Sequence, residues 1–135
     1  MTNAEKKAYL SQYKTLDRRI NQLTEDLARW RARAEAISPV YSAMPRSGGN
    51  GDKVAAAIEH IITLEQEINA EIDRLVDLRR TIELYIETIP DNTLRDLMRY
   101  RYIDGLNWNV VAERMHYCEH HIYKLHSAAL SALAI

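Results

Sequence analysis

The sequence predicts an all-α fold: a long antiparallel coiled-coil hairpin followed by a C-terminal three-helix unit that contains a helix-turn-helix. Three observations predict it. Apolar residues recur at alternating steps of four and three in the first arm, which is a heptad pattern, and at steps of three or four in the second arm. A Pro- and Gly-rich stretch at 38–52 interrupts that pattern. Near the C-terminus, two shorter apolar patterns are separated by only three residues, as a tight corner between helices requires.

The first arm of the hairpin is predicted over residues 3–37. Ser38–Pro39 ends it, because the residue before a proline avoids the helical region. The second arm begins after Asp52, a residue suited to capping a helix, and continues to about Thr88. The apolar seam of the first arm is Tyr9, Tyr13, Leu16, Ile20, Leu23, Leu27, Trp30, Ala34 and Ile37. That of the second arm is Val54, Ile58, Ile61, Leu64, Ile68, Ile72, Leu75, Leu78, Ile82, Ile86 and Ile89.

Opposite charges favour pairing of the two arms within one domain, residues 1–90. Residues 1–37 carry a net charge of +3 and residues 38–90 carry −4. Such flanking charges specify pairing more than they strengthen it. A two-helix hairpin has a thin core, and the second arm carries extra apolar residues off its seam, such as Ile62, Val76 and Leu84. We therefore expect the hairpin to form a homo-oligomer, most simply a dimer, or to pack against another protein.

The C-terminal domain is predicted over residues 91–135. Pro90 breaks the second arm, and either Asp91 or Thr93 caps the next helix, Leu94–Ile103. Gly105 then suits the left-handed conformation that often ends a helix.

A helix-turn-helix completes this domain. Asn107 caps a helix over 108–115, the connector is 116–118, and the last helix covers 119–133. The apolar faces follow helical spacing. They comprise Trp108, Val111, Ala112 and Met115 in the first helix, and Ile122, Leu125, Ala129 and Leu133 in the second, with Leu130 beside them.

The stretch from Leu97 to Met115, with its Arg-Tyr pairs, Gly105 and an apolar-Ala-Glu helix, is similar to region four of bacterial sigma factors, which reads promoters. The whole architecture resembles small phage- and prophage-encoded regulators of late transcription. This resemblance implies a recognition helix after the turn, promoter DNA as a partner, and contact with RNA polymerase. His116 stands where the family has glycine, and Cys118 where a serine usually caps the recognition helix.

The candidate DNA-binding residues lie on the last helix opposite its apolar stripe and at the two ends of the preceding helix. Recognition helices present their N-terminal residues to base edges, and helix N-termini suit phosphates. The candidates are Asn107, Asn109, Arg114, Glu119, His120, His121, Tyr123, Lys124 and Ser127. Arg99 and Arg101 could add phosphate contacts, although Arg101 could instead form an internal salt bridge with Glu113.

Other chemistries are not expected. We find no catalytic arrangement and therefore predict that the protein is not an enzyme and needs no cofactor. His116, Cys118, His120 and His121 are the one cluster that suggests a metal, but a single cysteine across a turn does not supply a tetrahedral set, so no metal is expected. One cysteine also excludes an internal disulfide and favours a reducing compartment. No apolar run is long enough for a membrane span. The resemblance to phage-encoded regulators implies a protein in the cytoplasm of a bacterial host.

The leading functional hypothesis is a phage-type transcription regulator. Its C-terminal helix-turn-helix would bind double-stranded promoter DNA, and its coiled coil would mediate oligomerisation or dock on RNA polymerase. One alternative is a DNA-packaging recognition subunit of the small-terminase type, which also joins a helix-turn-helix to an oligomerising helical region. A second alternative is a protein–protein interaction module without DNA binding, because residues 91–135 carry no net charge.

Overall fold

The computed structural model describes the backbone of residues 1–43 and 48–135 and the side chains of residues 1–37 and 51–135. This part of the chain is helical, which confirms the predicted all-α class with a long helical hairpin and a C-terminal helical unit. Five α-helices follow one another within the described residues: α1 (Asn3–Ala43), α2 (Gly48–Glu87), α3 (Asn92–Met98), α4 (Trp108–Met115) and α5 (Glu119–Ala132). A π-helical segment, Arg99–Ile103, continues α3.

The predicted loop at 38–52 is wrong at both ends. α1 continues through Ser38–Pro39 to Ala43, and α2 begins at Gly48, before the expected Asp52 cap. The conformational bias of a residue before proline is a preference that a helix can override, and the glycines do not forbid helical backbone. The central part of the predicted loop, residues 44–47, lies outside the described residues.

By its contacts the chain forms two compact units. Unit 1 comprises 1–16 and 75–135, and unit 2 comprises 17–74. These contacts do not test whether residues 91–135 fold independently, so the predicted domain boundary at residue 90 stays a prediction.

Unit 1 has a continuous apolar core built from both ends of the hairpin and from the C-terminal helices. Leu10 of α1 and Ile82, Ile86 and Ile89 around the end of α2 are fully buried in it. The C-terminal helices contribute Leu97, Met98, Tyr102, Val111, Ala112, Ile122, Ala129, Leu130 and Leu133. Because α5 packs against both α3 and α4, its position is set from two sides.

In unit 2, α1 and α2 pair through a narrow apolar seam flanked by ion pairs. Arg19 Nη2 lies 2.7 Å from Glu67 Oε1, and Arg31 Nη2 lies 2.9 Å from Glu65 Oε1. The expected pairing of a basic arm with an acidic arm is thus present here. The buried residues of this seam are Ile20, Leu27, Ala57, Leu64 and Ile68.

The predicted seam of the second arm is wrong at two positions. Ile58 and Ile72 are exposed, whereas Ala57 is buried. The neighbouring members of the predicted seam, Ile61, Leu64 and Ile68, do pack toward α1, and Ala57 takes the place of Ile58 among them. Since neighbouring stripes of α2 are both rich in apolar residues, spacing by itself does not distinguish them.

The start of α3 resolves the choice between two caps. Asp91 is the N-cap, and its Oδ1 accepts a hydrogen bond from the Leu94 backbone N–H at 3.1 Å. After the π-helical segment, Gly105 adopts a left-handed conformation with φ of +70°, which suits glycine as predicted.

Candidate nucleic-acid interface

The connection between α4 and α5 is as short as a helix-turn-helix requires. α4 ends at Met115 and α5 begins at Glu119, so the predicted three-residue connector is confirmed. His116 adopts the left-handed conformation, with φ of 61° and ψ of 38°. The backbone N–H of Tyr117 then donates to the carbonyl of Ala112 at 3.1 Å, which closes the end of α4. Histidine therefore occupies a conformation that glycine adopts more easily.

The inner face of α5 is buried against α3 and α4, and its buried residues are Ile122, His126, Ala129 and Leu130. The prediction placed Leu125 on this face, where it is partly buried, and did not include His126. His126 lies four residues after Ile122 and four before Leu130, and this spacing is the signal that could have located it. The outer face of α5 is thereby fixed in direction relative to the rest of unit 1.

His126 belongs to a buried polar and aromatic cluster beneath α5. Its Nε2 lies 2.6 Å from the hydroxyl of Tyr102, and its ring packs on Trp108 with centroids 4.6 Å apart. Burial lowers the pKa of His126 to about 4 and raises the pKa of Tyr102 to about 12. Both groups are therefore neutral near pH 7, and the hydrogen bond between them satisfies two buried polar groups without a buried charge.

Arg101 also contacts this cluster, through the ring of Trp108. Its guanidinium lies 4.5 Å from the centre of the Trp108 ring, and Nη1 donates to the Leu106 carbonyl at 3.0 Å. These contacts support an internal role for Arg101. Among the described contacts its partners are the Trp108 ring and the Leu106 carbonyl, and not Glu113 as predicted. Trp108 is held between a cation and two rings, since Tyr123 also contacts it edge-on at 5.8 Å.

The end of α5 is held by the start of α1. Lys6, itself buried, donates from Nζ to the carbonyl oxygens of Leu130 at 2.8 Å and Leu133 at 2.9 Å. Asn3 Nδ2 also donates to Ser131 Oγ at 3.0 Å. The two carbonyls each also accept a backbone N–H, from Leu133 at 3.3 Å and from Ile135 at 3.1 Å, so the ammonium group is a second, charged donor to both. Sequence reasoning missed Lys6, because no local pattern links residues so far apart in the chain.

The outer face of α5 brings six of the nine candidate residues together. All six side chains belong to exposed residues: Glu119, His120, His121, Tyr123, Lys124 and Ser127. Two of them lean on aromatic neighbours, because His121 contacts the Tyr117 ring at 4.7 Å and Tyr123 contacts Trp108. This face thus carries both hydrogen-bond donors and acceptors, including one lysine and one glutamate.

The other three candidates are exposed on α4. Asn107 is the N-cap of α4 but makes no side-chain capping hydrogen bond, and Asn109 lies in the first turn. Arg114 lies in the last turn, with its guanidinium 5.8 Å from the centre of the Tyr100 ring. The amides at the start of α4 and the Arg114 guanidinium are the donors that α4 offers to an anionic partner.

Few cations remain for phosphates in the C-terminal helices. Arg99 forms an ion pair with Glu87, and Arg95 Nη1 donates to the Ile89 carbonyl at 2.9 Å. With Arg101 held at Trp108, the exposed cations at the candidate interface are Arg114 and Lys124. An interface of this composition depends on geometry and base contacts more than on charge.

Comparison of the chain with protein-family models, curated proteins and solved structures finds no match. Across the described residues, no helix has both the length and the apolar character that crossing a membrane demands.

Proposed function

We propose that this protein is a regulator of transcription that binds double-stranded DNA through the outer face of α5. The observation that carries the proposal is an exposed helix face, rich in hydrogen-bonding groups, on a helix whose inner face and C-terminal end are both fixed. A recognition helix needs this combination, because base contacts require side chains held in a defined register. The resemblance of residues 97–115 to a promoter-reading region supports the same reading.

In this proposal the N-terminal half of α5 enters the major groove. Lys124 would contact guanine or a phosphate, Glu119 would accept from the amino group of cytosine, and Tyr123 and Ser127 would hydrogen-bond either bases or phosphates. His120 and His121 present further donors and acceptors beside them. Asn107, Asn109 and Arg114 would contact the phosphates on either side of the groove.

The scarcity of free cations predicts a modest affinity for a single copy. With about two to four phosphate contacts per chain, the slope of log K against log salt is about −2 to −4. The hairpin has a role in this proposal because an oligomer that engages two half-sites gains affinity through effective concentration. RNA polymerase is the other partner that we propose for the hairpin.

The test is selection from random DNA duplexes with the full chain, followed by binding measurements on the enriched sequence. We expect Lys124→Ala and Tyr123→Ala each to weaken binding about tenfold or more, which corresponds to the loss of a base contact. Lys14→Ala, which removes an exposed lysine from α1, is the matched control and should bind like the parent. Pools without enrichment, or variants at Lys124 and Tyr123 that bind as well as the control, would refute the proposal.

The second candidate function is a protein–protein interaction module. The neutral charge of residues 91–135 favours it, since DNA-binding domains generally carry a basic surface. The same selection separates the two functions, because an interaction module enriches no duplex at any salt concentration.

A further inference from the structure

A second stripe of α2, separate from the seam that packs on α1, lies exposed in unit 2. We call it the outer stripe; it consists of Ile58, Ile62, Glu65, Asn69 and Ile72, at alternating steps of four and three. Its three isoleucines are 48%, 47% and 40% exposed in chain order. A heptad spacing on an exposed helix face is the pattern through which helices pair.

We propose that the outer stripe is the contact through which two copies of this chain associate, with the two α2 helices antiparallel. The positions of the stripe are symmetric about residue 67, with isoleucine at 62 and 72 and a polar residue at 65 and 69. A two-fold axis there pairs Ile62 with the other copy's Ile72, and Glu65 with the other copy's Asn69. By sequence register, Val76 stands at the position that would pair with Ile58. A closed dimer requires such a self-complementary surface.

Charge decides between antiparallel and parallel pairing. A parallel dimer would bring the two Glu65 carboxylates together at its centre, and two like charges in a contact are unfavourable. The antiparallel dimer instead places each Glu65 carboxylate opposite an Asn69 amide, which can donate a hydrogen bond to it.

The shape of the surface agrees with this arrangement. A groove of about 330 Å³ lies between α1 and the centre of the outer stripe, lined by Leu27, Arg31, Glu65, Ile68 and Asn69. The proposed axis crosses α2 between Glu65 and Asn69, with Ile62 on one side and Ile72 on the other. Polar groups at the centre of an apolar stripe fix the register of helix pairing, as a buried asparagine does in coiled coils.

This inference names the partner for the oligomerisation part of the proposed function and does not depend on DNA binding. It is tested on the full chain without DNA, by sedimentation equilibrium across a range of protein concentrations. We expect a dimer whose dissociation constant rises about 100-fold or more in Ile62→Glu, since the new charge would lie in the contact. Leu84→Glu is the matched control, because Leu84 is 64% exposed on α2 but lies off the stripe, and it should dimerise like the parent.

Three outcomes of this experiment would overturn the inference. They are a monomer at all concentrations, a dimer that Ile62→Glu leaves intact, and a dimer that Leu84→Glu disrupts equally. Circular dichroism of each variant checks that its helices are retained.

Disulfide trapping tests the direction of pairing. In a Cys118→Ser background, we mix a chain carrying Ile62→Cys with one carrying Ile72→Cys. Antiparallel pairing predicts a disulfide between the two chains, and it predicts none between two copies of Ile62→Cys, whose positions would lie about 15 Å apart along the helices. Disulfides between two copies of Ile62→Cys, with none that join Ile62→Cys to Ile72→Cys, would establish a parallel contact and refute the proposed axis.

Discussion

Lys6 joins the start of α1 to the end of α5 through a buried ammonium group. Nζ donates to the carbonyl oxygens of Leu130 and Leu133 at 2.8 and 2.9 Å. Each of these acceptors also receives one backbone N–H, from Leu133 and Ile135 respectively, so Lys6 supplies the second donor to both. The positive charge also interacts favourably with the C-terminal end of the helix dipole. Replacing Lys6 therefore tests whether the hairpin holds the proposed recognition helix.

The substitution Lys6→Met keeps the length and the apolar stem of the side chain and removes its donors. A hydrogen bond that involves a charged group contributes about 1.5–3 kcal/mol. The two carbonyls each keep a backbone donor when the ammonium group is removed, so neither is left unpaired. Two such bonds are lost, but the ammonium group no longer has to be dehydrated, which offsets part of the loss. We expect the free energy of unfolding to fall by about 2–3 kcal/mol, measured by urea denaturation followed by circular dichroism.

The control is Lys14→Met, which changes an exposed lysine of the same helix and should alter stability by less than about 0.5 kcal/mol. Amide hydrogen exchange adds a local measurement, because the last turn of α5 should lose protection more than α3 does. If Lys6→Met is as stable as Lys14→Met, the two hydrogen bonds contribute nothing and the reasoning is wrong.

Two further predictions concern histidines of the helix-turn-helix. Because burial lowers the pKa of His126 from 6.5 to about 4, the unfolded chain gains a proton below about pH 6.5 while the folded chain does so only near pH 4. The free energy of unfolding should therefore fall as the pH drops through this window, by up to about 3 kcal/mol. The measurement is urea unfolding of the parent and of His126→Phe at pH 7.5 and 4.5. The free energy of unfolding should decrease less in His126→Phe, which has no imidazole to protonate, and an equal decrease in both proteins would contradict the prediction. His116→Gly should raise the free energy of unfolding by about 0.5–1 kcal/mol. Glycine adopts the left-handed conformation without strain, and this gain exceeds the extra conformational freedom that glycine loses on folding. His120→Gly, in the first turn of α5, is the control and should destabilise the protein. A loss of stability in His116→Gly would show that the left-handed conformation of His116 is not strained.

Local spacing predicted the C-terminal helices well, because short helices with one buried face leave a clear period. The bounds of α4, the connector and the start of α5 follow from apolar residues three and four apart and from the three polar residues between them. The hairpin was predicted less accurately. α2 carries two adjacent apolar stripes, and only the packing of α1 selects the one with Ala57 over the one with Ile58.

Two features of the candidate interface depend on contacts that sequence patterns do not reveal. The hydrogen bonds from Lys6 to Leu130 and Leu133 join opposite ends of the chain, and exposed lysines are the usual expectation in a first helical turn. His126 lies within an apolar stripe, but its hydrogen bond to Tyr102 arises only when α5 packs on the π-helical segment after α3. Long-range pairing of this kind has no local period.

The two faces of α5 separate stability from recognition. Ile122 and Ala129 are fully buried on the inner face, whereas His120, Lys124 and Ser127 are exposed on the outer face. Exposed substitutions usually change stability by less than about 0.5 kcal/mol, so variants of these three residues should unfold like the parent. A variant that loses DNA binding and keeps its unfolding free energy therefore reports a lost contact, whereas one that loses both reports a displaced helix. For that reason each binding measurement on α5 should be read beside the unfolding curve of the same variant.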